Sequence, residues 1–600
     1  MDIATILGIV GGAAMIVMSV LTSGGTMGGI IDIPSVFMTI GGSYFAMFIA
    51  APLKKALGMF KIMGKAFKVP DFGEKNIVIN MQALSEKARR EGILALEDGL
   101  DDLEDDPKHM LIEMNNRNPE VFDVYRCDIE TGELKQVAEN PGNIIGWLTD
   151  HDGKLRAAIQ TDGVNASFLY RTTESEDFRN LITTNFKETF EPVLFAYDNK
   201  LMYVVSNLSQ DKTAFYTFDP EANKTLDLVF VHDEVDAGSI LHSKKRKLIT
   251  GVTFTTDKRN YKFFDSDRED LQKTIDSFFP NYEAVVVDMD DDERRVIVRT
   301  YSDRTRGTYY LFDRKDNSMS KLADLSTWLK EEQMAPMKPL TFKSRDGLTI
   351  HGYLTLPLGV ASKDLPLVVI PHGGPSARDT WGFDSVAQFL ANRGIAVLQV
   401  NFRGSTGYGK AFWQAGFKQW GRKMQDDVTD GVLWTVEQGI ADRTRLAIFG
   451  GSYGGYAALA GATFTPDLYA CAVSYVGPSN IFTLLETIPP YWEPFREMEY
   501  EEIGDPVKDK ELLTEISPLF HADKIKIPLF VAQGANDPRV NKAESDQIVE
   551  AVRKAGKDVI YMVKENEGHG FHNEENRFDF FRQMEEFFKK HYKYAHIYIS

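Results

Sequence analysis

Three side chains late in this sequence have the types and the order needed for catalysis by an activated serine. Ser452 follows an apolar run at 446–449, Asp537 follows a run at 529–532, and His569 follows a run at 559–563. A serine hydroxyl is a weak nucleophile until a base removes its proton, and the base must be oriented by a carboxylate. The sequence therefore predicts Ser452 as the nucleophile, His569 as the base and Asp537 as the orienting acid.

The residues around Ser452 read GGSYGG and match the G-x-S-x-G pattern of a sharp turn between a strand and a helix. Glycines on both sides of the serine permit the strained backbone that lifts its hydroxyl clear of the sheet. Hydrolases with this turn have the order serine, acid, histidine along the chain, and the three candidates follow it. Glu565 and Glu567, the other carboxylates close to His569, are interpreted as solvated surface groups.

Acyl transfer places negative charge on the substrate carbonyl oxygen, and this charge requires preorganised N–H donors. Tyr453, the residue after the nucleophile, supplies one backbone N–H, and we expect the second from Gly373 or Gly374 in the segment PHGGP. A plain tight turn is the alternative interpretation of these two glycines. His372 precedes Ser452 in the chain, and we assign it a role in shaping the loop.

A sheet must position these candidates, and residues 336–600 show the alternation of strands and helices that builds a mainly parallel sheet. The unbroken apolar run at 365–370 is expected for a strand buried on both faces, and a second strand is predicted at 395–400. They lead into the glycine-rich segments PHGGP and NFRGSTGYG, at the carboxyl edge where open α/β sheets place their sites. We predict an α/β-hydrolase domain for residues 336–600.

Residues 107–335 consist of short alternating runs separated by turn residues, which is typical of antiparallel strands. An aromatic residue followed three positions later by aspartate recurs at Asp128, Asp219 and Asp313, with separations of 91 and 94 residues. Each separation is about twice the 40 to 45 residues of a four-stranded propeller blade. The segment therefore predicts an incomplete β-propeller of about five blades. An unrelated β-sandwich is the alternative.

Residues 3–22 and 33–53 carry no charge, and each stretch is long enough to span a bilayer as a helix of about 20 residues. Lysines follow the second stretch, whereas the link between the two has no basic residue, so the positive-inside rule places everything after Leu53 in the cytoplasm. We predict a two-helix transmembrane hairpin over residues 3–53 in the inner (plasma) membrane, with the catalytic domain facing the cytoplasm. A cleaved secretory signal is the alternative for the first stretch.

The composition limits the kinds of partner. A formal net charge of -19 over 600 residues argues against nucleic-acid binding, because phosphate contacts require clustered basic residues. The two cysteines, Cys127 and Cys471, lack the spacing of metal ligands and are interpreted as reduced structural thiols. We infer no metal and no organic cofactor, and these features leave the oligomeric state open.

PHGGP, NFRGSTGYG, FGGSYGG, QGANDPRV and NEGHGF occur in this order after the propeller-like repeats. Over residues 110–594 the chain resembles the prolyl oligopeptidase family of serine peptidases, closest in wording to its acylaminoacyl-peptidase-like branch. The resemblance implies an α/β-hydrolase domain capped by a β-propeller that admits short peptides and excludes folded proteins. It also implies that this propeller has fewer blades than is usual in the family.

The segments MDIATILGIV, IDIPSVFMTIGGS and SEKARREGILALED give residues 1–106 a resemblance to the start of the flagellar motor stator subunit of the MotA family. The predicted organisation is thus a MotA-like hairpin with a charged helix (1–106), a partial propeller (107–335) and a peptidase domain (336–600). Both resemblances break off near residue 106, which favours a fused or misassembled reading frame over an evolved device.

The predicted function is hydrolysis of oligopeptides through an acyl-enzyme on Ser452. Two alternatives remain open at this point. One is an esterase that uses the same side chains, and the other is a membrane motor stator fragment that carries a passive hydrolase domain.

Overall fold

The computed structural model describes residues 108–118, 121–489 and 495–592. In these ranges, five antiparallel sheets are followed by one eight-stranded sheet with helices on its faces. The predicted transmembrane hairpin and the charged helix that follows it lie outside the described residues. Within the described ranges, no helix combines the length and the hydropathy needed to span a bilayer.

The five small sheets use strands β1 to β18 in chain order. These strands are β1 (His109–Asn118), β2 (Val121–Asp128), β3 (Leu134–Ala138), β4 (Ile144–Thr149), β5 (Leu155–Thr161), β6 (Asn165–Tyr170), β7 (Arg179–Asn185), β8 (Phe190–Phe195), β9 (Met202–Ser206), β10 (Ala214–Asp219), β11 (Lys224–Phe230), β12 (Ala237–Ser243), β13 (Leu248–Thr255), β14 (Arg259–Phe263), β15 (Glu283–Met289), β16 (Arg295–Tyr301), β17 (Thr308–Asp313) and β18 (Ser318–Asp324).

Each small sheet pairs its strands consecutively, as the blades of a propeller do. The first and fourth blades have three strands, and the others have four. Asp128, Asp219 and Asp313 end the penultimate strands of the first, third and fifth blades, which accounts for their two-blade spacing. The prediction of about five blades is confirmed, and the β-sandwich alternative is wrong.

Aromatic residues fill the space between neighbouring blades. Phe168 on the second blade and Phe190 and Phe218 on the third are buried, and their ring centroids lie 5.2 to 6.2 Å apart. A helix, α1 (Ser266–Phe278), follows the three strands of the fourth blade and packs Leu271 and Ile275 into the apolar cluster of the fifth. Burial of these side chains holds consecutive blades together.

The large sheet has the strand order β19-β20-β22-β21-β23-β24-β25-β26. Strands β19 and β20 pair antiparallel to their neighbours, and the other six are parallel. These strands are β19 (Met337–Lys343), β20 (Thr349–Thr355), β21 (Leu365–Pro371), β22 (Ala396–Asn401), β23 (Ala441–Gly451), β24 (Cys471–Tyr475), β25 (Leu529–Gly534) and β26 (Val559–Lys564).

Helices cover both faces of this sheet. They are α2 (Ser385–Ala391), α3 (Lys410–Gln414), α4 (Lys423–Glu437), α5 (Tyr453–Phe464), α6 (Ile481–Glu486), α7 (Arg496–Glu502), α8 (Lys510–Ile516), α9 (Lys542–Lys554) and α10 (Glu574–Tyr592), with 3-10 turns at Glu331–Gln333 and Pro518–Lys524.

The side chains of β21 show why its sequence is apolar throughout. Leu367 and Val369 enter the core that α4, α5 and α9 cover, whereas Val368 enters the core that α2 and α10 cover. Both faces of the strand are therefore buried, as predicted from the unbroken apolar run. This arrangement is the α/β-hydrolase domain predicted for the carboxy-terminal part, and it fixes the carboxyl ends of β21 to β26 at one edge.

Candidate active site

Ser452 lies at the turn between β23 and α5, at the carboxyl edge of the large sheet. Its φ of 57° and ψ of -121° are strained for a residue with a side chain, as expected of a nucleophile elbow. Gly450 and Gly454 make the turn possible, since a β-carbon at Gly450 would lie 2.4 Å from the Gly454 carbonyl oxygen. Position 450 must be glycine because the turn brings two backbone segments into contact and leaves no room for a side chain.

The structure brings the three predicted side chains together. The Nδ1 atom of His569 lies 2.8 Å from Oδ2 of Asp537, and its Nε2 atom lies 3.0 Å from Oγ of Ser452. Because a carboxylate only accepts hydrogen bonds, Nδ1–H donates to Asp537 and leaves Nε2 to accept the proton of the Ser452 hydroxyl. This tautomer is the one a general base at Nε2 requires.

Asp537 follows β25, and its buried carboxylate is held on both oxygens. Oδ1 accepts hydrogen bonds from the amides of Arg539 and Val540, each at 2.9 Å. Oδ2 accepts from Nε2 of Gln533 at 3.2 Å as well as from His569. The side chain has no exposed surface, so these donors fix its direction toward the imidazole. Gln533, a polar residue at the end of an apolar strand, was not singled out from the sequence.

The loop that carries His569 is fixed against its neighbours. Gly534 packs against it, since a β-carbon there would lie 2.1 Å from the Gly568 carbonyl oxygen. The hydroxyl of Tyr475 and the amide of Phe571 are hydrogen-bonded. The loops after β25 and β26 therefore form one packed unit that sets the position of the imidazole.

The solvated interpretation of Glu567 is wrong, because this residue is only 3% exposed. Its carboxylate accepts hydrogen bonds from the amides of His572 and Asn573 and from Asn576 Nδ2. Burial by itself raises the pKa of Glu567, but these hydrogen bonds outweigh burial and lower the pKa. The side chain thus ties the His569 loop to the start of α10.

The loop after β21 lies beside the nucleophile. A β-carbon at Gly373 would lie 3.5 Å from the Ser452 β-carbon and 3.3 Å from the Gly451 carbonyl oxygen. Gly374 has a φ of 121°, a conformation that favours glycine. Tyr453 is the first residue of α5, so its N–H has no acceptor within the helix. Its ring is buried among other aromatic residues and leaves only the backbone available to a substrate.

His372 anchors this loop. Its Nδ1–H donates to the Gly373 carbonyl oxygen at 2.8 Å, its Nε2 lies 2.8 Å from Oγ of Ser405, and its ring stacks on Phe402 at 4.3 Å. Burial lowers the pKa of His372 to about 4, so the ring is neutral at pH 7. The structure places His372 in contact with the loop and not with Ser452 Oγ, whose imidazole partner is His569.

Ser405 belongs to the glycine-rich loop after β22, and this loop joins both domains. Inside the catalytic domain, Arg403 forms a bidentate ion pair with buried Asp427, with both nitrogens 2.7 Å from carboxylate oxygens. Toward the propeller, the Gly409 amide donates to Asp236 at 3.0 Å and Lys212 Nζ donates to the Tyr408 carbonyl oxygen at 2.6 Å. Neither propeller contact was predicted from the sequence.

No group of three or more His, Cys, Asp or Glu side chains is placed to hold a metal ion among the described residues. Both cysteines are free and buried, as the sequence suggested.

A β-propeller joined to an α/β sheet with a strained serine at its carboxyl edge defines a propeller-bearing α/β hydrolase. Residues 381–595 match the prolyl oligopeptidase family. Dipeptidyl aminopeptidase BIII of Pseudoxanthomonas mexicana is 38% identical over 491 residues, which cover 78% of this chain and 70% of that protein. The chain belongs to the prolyl oligopeptidase family and is a serine peptidase.

Two further comparisons concern the fold of the chain and its similarity to one branch of the prolyl oligopeptidase family. A puromycin-hydrolysing peptidase from Mycobacterium tuberculosis has the same fold, with a TM-score of 0.65, 20% identity and coverage of 81% of this chain and 77% of that chain. An acylamino-acid-releasing enzyme of Arabidopsis thaliana is 27% identical over 232 residues, 38% of this chain and 30% of that enzyme. Similarity thus extends to the acylaminoacyl-peptidase-like proteins but is higher for the dipeptidyl aminopeptidase.

The amino-terminal segment has its own relative. Motility protein A of Treponema phagedenis is 46% identical over 106 residues, 18% of this chain, and the match spans 40% of that protein. The predicted MotA resemblance is confirmed at the level of sequence. Whether the segment spans a membrane stays a prediction, because it lies outside the described residues.

Proposed function

We propose that this peptidase cleaves short peptides through an acyl-enzyme formed on Ser452. Nε2 of His569 takes the hydroxyl proton as Oγ of Ser452 attacks the peptide carbonyl carbon. The imidazolium then gives this proton to the leaving amine as the C–N bond breaks. Water, deprotonated by His569, attacks the acyl-enzyme and restores Ser452. Asp537 holds the imidazole tautomer and stabilises its positive charge.

The observation that carries this proposal is the continuous hydrogen-bonded chain from Asp537 through His569 to Ser452, with distances of 2.8 and 3.0 Å. The backbone N–H groups of Tyr453 and of Gly373 or Gly374 are proposed as the oxyanion donors, because they flank the serine. His372 keeps its proposed loop-shaping role through Gly373 and Ser405.

Mapping of a covalent label tests the nucleophile. A fluorophosphonate probe should label one peptide, the one that contains Ser452, and Ser452→Ala should abolish both labelling and hydrolysis of peptide nitroanilides. Labelling at another serine, or activity retained in Ser452→Ala, would refute the assignment. The esterase alternative is separated by comparing kcat/KM for a peptide nitroanilide and a p-nitrophenyl ester, and the proposal expects the peptide to be the preferred substrate.

We also propose that the enzyme releases dipeptides from free amino termini, the activity stated by the name of its relative from Pseudoxanthomonas mexicana. Matched substrates test this proposal directly. A dipeptidyl nitroanilide with a free amine should be cleaved at least about tenfold faster than its N-acetyl form, a difference of about 1.4 kcal/mol or more in transition-state stabilisation. Faster cleavage of the acetylated substrate would instead favour an acylaminoacyl-peptidase activity.

For residues 3–53 we propose a membrane hairpin of the inner membrane that leaves the peptidase in the cytoplasm. Its support is the absence of charge in the two stretches and the lysines after the second. Membrane fractionation of the native host, with detection of the peptidase domain and its intact mass, tests the proposal. A full-length 67.6 kDa chain in the membrane fraction supports it. A shorter soluble chain that lacks residues 1–106 would support the fused reading frame instead.

A further inference from the structure

The large sheet of the catalytic domain ends at two different edges. At one edge, the amide of Met337 in β19 donates to Asp303 of the fifth blade at 2.6 Å, so this edge adjoins the propeller. At the other edge, β26 pairs with β25 alone, and no strand within the described ranges lies on its outer side. An edge strand with open backbone groups is a template for pairing with another chain.

The outer side of β26 carries both hydrogen-bonding groups and apolar surface. The Lys564 carbonyl oxygen accepts from the amide of Ala535, which follows β25, at 3.0 Å and therefore points inward. Backbone groups of consecutive strand residues point to opposite sides, so those of Tyr561 and Val563 point outward. The side chain of Ile560 is 40% exposed. A partner strand at this edge would gain hydrogen bonds and cover apolar surface.

The sequence of this edge is complementary to its own reversed copy. Residues 557–565 read KDVIYMVKE. An antiparallel copy with Tyr561 opposite Tyr561 creates the further pairs Lys557 with Glu565, Asp558 with Lys564, Val559 with Val563, and Ile560 with Met562. Each charged residue then faces the opposite charge, and each apolar residue faces another apolar residue. Such cross-strand pairs stabilise an antiparallel ladder.

The charges at the two ends of this stretch are available for pairing. Lys557, Asp558 and Glu565 are exposed, and their side chains form no ion pair within residues 108–118, 121–489 and 495–592. Lys564 already pairs with Asp579 of α10. The main new ion pair is therefore Lys557 with Glu565, and a two-fold axis would form it twice.

Other registers of the same strand fit less well. A shift by one residue would set outward-pointing backbone groups opposite groups that already bond to β25, so only even shifts are compatible with the ladder. A shift by two residues places Lys557 opposite Val563 in one direction and Glu565 opposite Val559 in the other. Both shifts lose the charge pairs, so the pattern favours one register.

We propose that two copies of this chain associate through β26, antiparallel and about a two-fold axis at Tyr561, so that their eight-stranded sheets become continuous. The partner is a second copy because the edge is complementary to itself in charge and in apolar pattern. A two-fold axis reverses the strand direction, as the antiparallel register requires. The proposal is independent of the chemistry at Ser452.

Cysteine cross-linking of the full-length protein tests the register. Under mild oxidation, Tyr561→Cys should form a disulfide-linked dimer, because directly opposed Cα atoms lie about 5.5 Å apart, within disulfide range. Ile560→Cys is the matched control. Its own copy would lie about 8 Å away, beyond the limit of about 7 Å, so little cross-linking is expected. Cys127 and Cys471 are buried, so they should contribute little background.

A charge exchange tests the surface without a cross-link. Sedimentation equilibrium of the detergent-solubilised full-length chain should show a dimer, and Lys557→Glu should raise its dissociation constant at least about tenfold. Glu565→Lys should do the same, and the double variant should restore association. Lys135→Glu, at an exposed lysine on the first blade, is the control with the same charge change.

Three outcomes would overturn the proposal. They are a monomeric parent protein, equal cross-linking of Tyr561→Cys and Ile560→Cys, and a dimer that responds alike to Lys557→Glu and Lys135→Glu. The last outcome would place the contact between copies elsewhere, for example in residues 1–106.

Discussion

Gly454 lies directly against the carbonyl oxygen of Pro371: a β-carbon at Gly454 would stand 2.1 Å from that oxygen. The two residues belong to different parts of the site, since Gly454 is the second residue of α5, after Ser452, and Pro371 ends β21, before the PHGGP glycines. This contact sets the distance between the serine and its proposed oxyanion donors.

Gly454→Ala should therefore be destabilising as well as inactivating. The added methyl group meets backbone rather than a flexible side chain, so β21 and α5 must separate, at a cost of about 2 kcal/mol or more. Urea unfolding and active-site titration with a fluorophosphonate measure the two effects. Gly146→Ala is the matched control, because its new methyl group would meet Ile159 at an ordinary 3.9 Å. Full activity in Gly454→Ala would contradict the packing argument.

Asp537→Asn should reduce kcat by about 10⁴-fold. An asparagine amide can donate to Nδ1 of His569 and so favours the tautomer that protonates Nε2, which then cannot accept the Ser452 proton. Steady-state kinetics on a dipeptidyl nitroanilide measures the loss. Asp558→Asn, at an exposed aspartate before β26, serves as the control. A reduction of less than tenfold would show that another group orients the imidazole.

His372→Ala should lower kcat more than it changes KM. Loss of the imidazole frees the Gly373 carbonyl and leaves the loop without its anchor at Ser405, so the effect should approach the about 10²–10³-fold cost of losing one oxyanion donor. Ser405→Ala removes only one hydrogen bond of the anchor and should have a smaller effect in the same direction. His521→Ala, on a 3-10 turn outside the site, is the control. Equal changes in kcat for His372→Ala and His521→Ala would reject the anchoring role.

Glu502 gives a prediction on pH and stability. Burial raises the pKa of Glu499 to about 7, and burial with the nearby charges of Glu499 and Glu501 raises the pKa of Glu502 to about 8. Between the ordinary value of 4.5 and these values, the folded protein holds protons that the unfolded chain has released. The contribution of these two carboxyl groups to stability is therefore fully present below about pH 4.5. As the pH rises toward 8, the free energy of unfolding falls by on the order of a few kcal/mol.

Glu502→Gln removes the carboxylate that loses its proton in this range. The variant should consequently melt at a higher temperature than the parent at pH 8 and at nearly the same temperature at pH 5. Thermal unfolding at the two pH values measures the difference, with Glu511→Gln on the exposed start of α8 as the control. A destabilised Glu502→Gln protein at pH 8 would show that the charged form has a partner.

The sequence located the candidate nucleophile, base and acid because each belongs to a short segment whose glycines and preceding strand are visible locally. It also predicted the number of blades, because the aromatic and aspartate repeat falls on penultimate strands two blades apart. Contacts between distant segments could not be predicted in this way. Such contacts depend on how loops from different strands meet. Examples are the contacts of His372 with Ser405, of Gly454 with Pro371 and of Gly534 with Gly568.

Glu567 shows the same limit in a single residue. Its neighbours in the sequence are polar, which suggested a solvated carboxylate. In the structure the chain turns back on itself, and three N–H donors from residues five to nine positions later enclose the Glu567 carboxylate. Burial of a carboxylate becomes possible only with such donors, and they are recognisable only once the start of α10 has been placed.

The loop after β22 couples the position of the propeller to the active site. Asp236 and Lys212 hold it from the propeller, and Ser405 in the same loop holds the histidine that anchors the PHGGP segment. Movement of the propeller away from the large sheet would break these contacts and so disturb the PHGGP loop that lies beside Ser452. We therefore expect a molecule that has opened between the propeller and the sheet to be inactive until these contacts form again.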